Sequence, residues 1–232
     1  MLNKAPTKRI GIIGGLSWES SSSYYTLLNQ ATATKSEPWQ QPRVLLDSLD
    51  FREIVLCQQA GDWETTGRIL ADSARRLEAG GATVLAIGAN TMHMNYEDVA
   101  SAVSLPVLDV RDVIVDALSK MGASSLSLLG TKYVMTENFF RDHLEKAGVR
   151  VVVPNADQVE VLQSMIYQEL TKGILSDESR EKFRSIANDC RERGGEVVGL
   201  CCTEFGLLVG QGGETFPFID STKAHVAALL AH

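Results

Sequence analysis

In the stretch VVGLCCTEFGLLV, Val197 to Val209, an apolar run leads into Cys202, followed at once by Thr203 and Glu204. A cysteine just past a strand presents its sulfur at a sheet edge. A thiol has an ordinary pKa of about 8.5, and nearby donors or positive charge lower it enough to make a base or nucleophile near neutral pH. A second stretch, LAIGANTMHMNYEDV, Leu85 to Val99, has the same layout, with Ala89, Asn90 and Thr91 following its apolar run. The two resemble facing walls of one acid/base site, of which only one carries a reactive atom. Cys201 leaves an extended chain on the face opposite to Cys202 and reads as structural, although periodicity alone does not choose between the two. His93, four residues after Ala89, reads as a structural histidine rather than a base.

The elements that must position these groups are legible as an alternation. Short apolar runs at Ile10 to Ile13, Arg43 to Leu46, Thr83 to Ile87, Ser125 to Leu129, Val149 to Val153 and Glu196 to Leu200 alternate with helical patterns. That rhythm predicts an α/β fold built from βαβ units with buried, parallel strands. The spacing predicts a helix over Trp63 to Ala79, with Ile69, Leu70, Ala74 and Leu77 on one face and Gly80 and Gly81 as its stop. Laying Gly14 on Gly130 and Ala89 on Cys202 gives nearly the same offset, 116 and 113 residues. PVLD (Pro106 to Asp109) then follows Ala89 by 17 residues and PFID (Pro217 to Asp220) follows Cys202 by 15. Three landmarks in one order predict a duplicated unit. Loops at the carboxyl ends of parallel strands are where such units bind ligands.

Several function classes are excluded. With 22 basic against 29 acidic residues, net charge −7, and no basic stripe, nucleic acid is not an expected partner. The apolar run after Lys4, Lys8 and Arg9 is too short for a signal segment or a membrane span, which predicts a cytoplasmic protein. Cys57, Cys190, Cys201 and Cys202 form no CxxC pair and no metal-ligand spacing, so no metal site is expected, and Cys57 and Cys190 read as small buried hydrophobes. GIIGG fits neither dinucleotide nor P-loop fingerprints. The segment GGLSWESSSSYY, Gly14 to Tyr25, offers a hydroxyl-rich helix start suited to a carboxylate or phosphate, or equally an ordinary N-cap.

The segments GIIGGLSWESSSSYYTLLN, LDSLDFREI, GANTMH, LLGTKYVM, IYQEL, CCTEFGLLV and PFIDST, in this order, closely resemble the aspartate/glutamate racemase family, in its bacterial branch of broad or L-specific amino-acid racemases. The resemblance runs from about residue 9 to 230. It implies two pseudo-symmetric lobes, each a mainly parallel sheet flanked by helices, with the active site in the cleft between them. Residues 1–113 with a returning 218–232 would form the first lobe and 114–217 the second. It also implies a homodimer that inverts the α-carbon of an acidic amino acid without pyridoxal phosphate or metal, its partner being a small amino acid or dicarboxylate. Two acid/base groups must then flank the substrate. Typical members use cysteines at the positions of Ala89 and Cys202, some have threonine at the first, and alanine can neither give nor take a proton.

Other roles carry over from the same resemblance. Asn90, Thr91, Thr203 and Glu204 match ligands of the substrate carboxylate and amino group. Ser17 and Trp18 match first-loop residues, Arg52 a cation for the distal carboxylate, and Thr131 and Tyr133 a second-lobe loop, while Lys172 reads as surface. Ala89 is read as an introduced inactivation or as natural divergence, the latter favoured by Gly88, which also departs from the family. Two further readings keep the site: a one-cysteine decarboxylase of disubstituted malonates, and a binding protein that has lost catalysis.

Overall fold

Interior strands in a parallel sheet must satisfy both faces with apolar side chains, and four runs of this chain do so. A computed structural model describes residues 8–33, 39–209 and 215–232. The chain opens with β1 (Arg9–Gly14), α1 (Trp18–Ala33), β2 (Arg43–Ser48), α2 (Phe51–Ala60), α3 (Trp63–Ala79) and β3 (Val84–Ile87). A 3₁₀ turn (Thr91–Asn95), α4 (Tyr96–Ser101) and β4 (Val107–Leu108) follow. Next come α5 (Val110–Met121), β5 (Ser125–Gly130), α6 (Lys132–Thr136), α7 (Asn138–Lys146), β6 (Arg150–Val152) and α8 (Ala156–Gln168). The chain ends with a 3₁₀ turn (Leu170–Lys172), α9 (Asp177–Glu192), β7 (Val197–Cys201), α10 (Thr203–Val209), β8 (Phe218–Asp220) and α11 (Ser221–Ala231).

Two four-stranded sheets result, in the orders β2-β1-β3-β4 and β6-β5-β7-β8, with every pairing parallel. The second order is the first repeated, as the matched landmarks predict, with PVLD and PFID supplying β4 and β8. The inner strands β3, β5 and β7 are buried throughout and β1 from its second residue on, whereas the outer strands are only partly covered. β2 continues past the apolar run to Asp47 and Ser48, which pair with Ile13 and Gly14. The ladder uses backbone groups, so polar side chains at an edge do not end it.

The chain divides into two compact units. The first contains the chain from β1 through Gly88, residues Asn95–Asp109 and Val226–His232; the second contains Ala89–Met94 and Val110–His225. In the first, α3 has the expected bounds. Asp62 caps it by accepting from the Thr65 amide at 2.9 Å, and Leu70, Ala74 and Leu77 are buried. The chain leaves it through Gly81 at φ 88°, a left-handed conformation open to glycine at little cost. Ile10, Ile12, Tyr24, Leu28, Val84, Ala86, Val226 and Leu229 form one core cluster of this unit. Lys8 Nζ closes the end of α11 by donating to the Leu229 and Leu230 carbonyls at 3.0 and 2.9 Å.

In the second unit the sheet separates two clusters. Leu126, Leu128, Phe140, Leu144, Val197 and Cys201 lie in one, and Leu129, Met165, Phe183, Leu200, Cys202 and Phe205 in the other. Phe183 of α9 and Phe205 of α10 pack ring to ring at 4.8 Å, which fixes α10 on the end of β7. Among the described residues no helix is long and apolar enough to cross a membrane. Truncating Phe183 to alanine removes a fully buried ring and should cost about 3–5 kcal/mol, seen as a lower urea midpoint with an unchanged slope.

Candidate active site

β7 delivers Cys201 and Cys202 to opposite faces of its sheet, as alternation along a strand requires. Cys201 is enclosed, and burial followed by the charge of Asp220 pushes its thiol far up. Cys202 stands where the strand gives way to α10, and its Sγ donates to Glu204 Oε2 at 2.9 Å. Thr203 Oγ1 donates to the same oxygen at 2.7 Å. Glu204 is itself buried, at 4% exposure, so this carboxylate is held inside the protein rather than on its surface. Burial first, and then the Glu204 charge, hold the Cys202 pKa well above its ordinary value. Both effects favour the protonated sulfur.

Tyr167 of α8 packs against the cluster that contains Cys202. Burial, together with Tyr133, Cys202 and Glu204 nearby, pushes its phenol up to about 12, partly offset by a hydrogen bond with Gln163. Gln163 Oε1 also accepts from the Lys132 amide at 2.8 Å, so one α8 residue links the start of α6 to the phenol. The family motif IYQEL contains Tyr167, Gln163 lies three residues before its start, and the sequence alone gives neither a role. Their i, i+4 spacing on α8 was the available signal.

The loop after β3 belongs to the same unit. Asn90 Nδ2 donates to Ser221 Oγ at 2.9 Å, and Ser221 Oγ donates to the Leu200 carbonyl at 2.8 Å, two residues before Cys202. The Thr91 and Thr131 hydroxyls share a hydrogen bond at 2.8 Å, and Thr131 also caps α6. His93 is 1% exposed. Its Nε2 lies 3.3 Å from the Val110 amide, which can only donate, and its Nδ1 lies 3.1 Å from the Ala89 carbonyl, which can only accept. That pairing requires the neutral ring with its proton on Nδ1. The histidine thus fixes the backbone at position 89, the structural role expected of it. Ala89 is half-buried, its methyl group on a backbone that its neighbours hold.

The candidate residues divide accordingly. Ala89, Asn90, Thr91, Thr131, Tyr133, Cys202, Thr203 and Glu204 lie in the second unit, tied together by the contacts above. Ser17, Trp18 and Arg52 lie in the first. Ser17 Oγ accepts from the Ser20 amide at 3.1 Å, Ser20 Oγ donates to the Gly88 carbonyl at 2.6 Å, and Ser21 Oγ accepts from the Gly15 amide at 2.8 Å. Ser17 thus caps the start of α1, and the Ser17, Ser20 and Ser21 hydroxyls are engaged by the protein. Trp18 is 73% exposed. Arg52 is exposed in the first turn of α2. Lys172 is exposed with its Nζ 3.4 Å from Gln168 Oε1, a surface position as expected.

The sequence profile of the Asp/Glu/hydantoin racemases matches residues 13–229. A crystal structure from Yersinia pestis, of a protein provisionally described as an Asp/Glu racemase, is 35% identical over 97% of this chain and 98% of its own, with a TM-score of 0.88. An aspartate racemase homologue from Pyrococcus horikoshii is also 35% identical, covering 97% and 98% of the two chains with a TM-score of 0.84. The broad specificity amino-acid racemase RacX of Bacillus subtilis is 19% identical over 175 residues, 74% of this chain and 75% of its own.

Replacing His93 by phenylalanine keeps a ring of similar size but leaves the Ala89 carbonyl and the Val110 amide without the imidazole. Stability should fall by about 1–3 kcal/mol in urea titration, and the Val110 amide should exchange with deuterium faster than in the parent.

Proposed function

Because the chain belongs to the Asp/Glu/hydantoin racemase family, we propose that it acts on the α-carbon of an amino acid, aspartate or glutamate first among them, with Cys202 as the acid/base on one face. The thiolate takes the α-proton, and the electron pair left behind spreads into the substrate carboxylate. Return of a proton from the other face inverts the centre. Position 89 is where the second group belongs, and with alanine there the chemistry on that face is lost while exchange on the Cys202 face remains. Thr203, Glu204, Asn90 and Thr91 line this part of the site, and Arg52 is proposed for the distal carboxylate on the family resemblance alone.

The observation that carries this reading is the contact between Cys202 and the buried Glu204 carboxylate. It supplies a proton-bearing atom, and its charge selects among substrates. An amino acid brings an ammonium group to meet that carboxylate. A disubstituted malonate, the substrate of the one-cysteine alternative, brings two carboxylates. Like charges about 4 Å apart cost about 4 kcal/mol under ordinary protein screening, which favours the amino acid.

In deuterium oxide, each enantiomer of aspartate and glutamate separates the readings by NMR. The expected result is replacement of the α-hydrogen with configuration retained, and inversion appearing in the Ala89→Cys variant at about 100 to 10,000 times the parent rate. Absence of exchange in both proteins, with saturable binding, would replace this reading with a binding protein; release of carbon dioxide from malonates would replace it with a decarboxylase.

A further inference from the structure

We infer that Ser221 is a positioning residue that joins the two walls of the site, holding the loop at position 89 in fixed register with Cys202. Its bearing on inversion rests on the proposed racemase chemistry; the join itself does not. Strand β8 pairs Asp220 with Leu200 of β7, so the next residue, Ser221, opens α11 beside the strand that carries Cys202. Asn90 and Ser221 are both buried, and the direction of each bond between them follows from donor chemistry. The Leu200 carbonyl can only accept, so the Ser221 hydroxyl gives it the one hydrogen it has, over 2.8 Å. Oγ can then only accept, and the Asn90 atom 2.9 Å away must be the nitrogen. A carboxamide turned the other way would set two acceptors against each other in a buried place. One serine therefore determines which atom of Asn90, the neighbour of Ala89, turns inward.

Two further tethers act on the same loop. Thr91 meets Thr131, the cap of α6, and His93 Nε2 accepts from the amide of Val110, the first residue of α5. Val110 and Ser221 directly follow PVLD and PFID, so both copies of the repeat send a helix start to this one loop. The starts of α5, α6 and α11 thus each hold one side chain of residues 90–93. The α11 tether continues into β7, where Leu200 stands two residues before Cys202. All of these groups belong to the second compact unit, so the register of the two walls is set inside it.

Ser221→Ala tests the join without substrate, by heteronuclear NMR. The Asn90 side-chain amide, assigned by its loss in Asn90→Ala, should exchange with water about 10-fold faster in Ser221→Ala than in the parent. The Gln158 carboxamide, which donates to Asp189 in the same unit, should stay within about twofold. Ser221→Cys fills the space without a strong hydrogen bond and should behave as Ser221→Ala does. With substrate in deuterium oxide, an Ala89→Cys protein can protonate the planar intermediate from either wall. The ratio of inverted to retained deuterated product then reads their register, whatever the amount of folded protein or the affinity for substrate. Adding Ser221→Ala should lower that ratio about 10-fold. An unchanged ratio, an Asn90 amide that exchanges no faster, a Gln158 amide that quickens equally, or a Ser221→Cys protein that matches the parent would each overturn the inference. If Ala89→Cys exchanges no amino-acid hydrogen, the racemase reading falls instead, and the amide measurements decide the join.

Discussion

Strand β7 is buried along its whole length, and successive side chains must leave it in opposite directions. That constraint separates two adjacent cysteines into two chemical environments. Cys201 becomes part of the packing beneath α5 and α7, whereas Cys202, one residue on, reaches the carboxyl edge where the chain turns into α10. The turn brings Glu204 back onto the sulfur, and the Phe183–Phe205 contact holds the turn in place. Burial of apolar rings therefore positions a polar pair, and the same burial raises the pKa of the Cys202 thiol.

The loop that carries Ala89 is built with comparable care although it ends in a methyl group. Asn90, Thr91 and His93 each use a polar atom to bind protein: Ser221, Thr131, and both the Ala89 carbonyl and the Val110 amide. Such contacts restrict where a side chain at position 89 can stand, which is what an acid/base group needs and what alanine does not exploit. On the first unit's side of the same peptide, Gly88 donates to the Ile13 carbonyl at 2.8 Å. A Cβ at Gly88 would lie 2.9 Å from that oxygen. Close approach of β1 and the chain after β3 accounts for glycine there without any appeal to altered function.

Much of the fold was legible because burial leaves a period. The bounds of α3 follow from Asp62, the apolar face and the two glycines, and the repeat anticipates that both sheets share one strand order. Six of the eight described strands, all but the short β4 and β8, follow from the same signals. Partners were not legible. Nothing in a single sequence says that Asn90 meets Ser221, 131 residues away, or that Thr91 meets Thr131 across 40. The serines after Gly15 read equally as an anion site or as a cap, and nothing in the sequence says that Ser17 Oγ accepts from the Ser20 amide. Tyr167 and Gln163 escaped for the same reason: an i, i+4 pair signals a shared face of α8 but not what that face meets.

Glu204 illustrates how a change of partner changes a role. As a residue two positions after a cysteine it suggests a ligand for a substrate amino group, because a carboxylate attracts an ammonium. In the folded chain its Oε2 already accepts from Cys202 and Thr203. An incoming ammonium would then compete with the thiol for the same carboxylate, and it would stabilise the thiolate that forms when the thiol gives up its proton. On the proposed racemase reading, substrate binding and the thiol would meet at a single oxygen. On the same reading, the oxygen that accepts from the thiol would also favour a cationic amine.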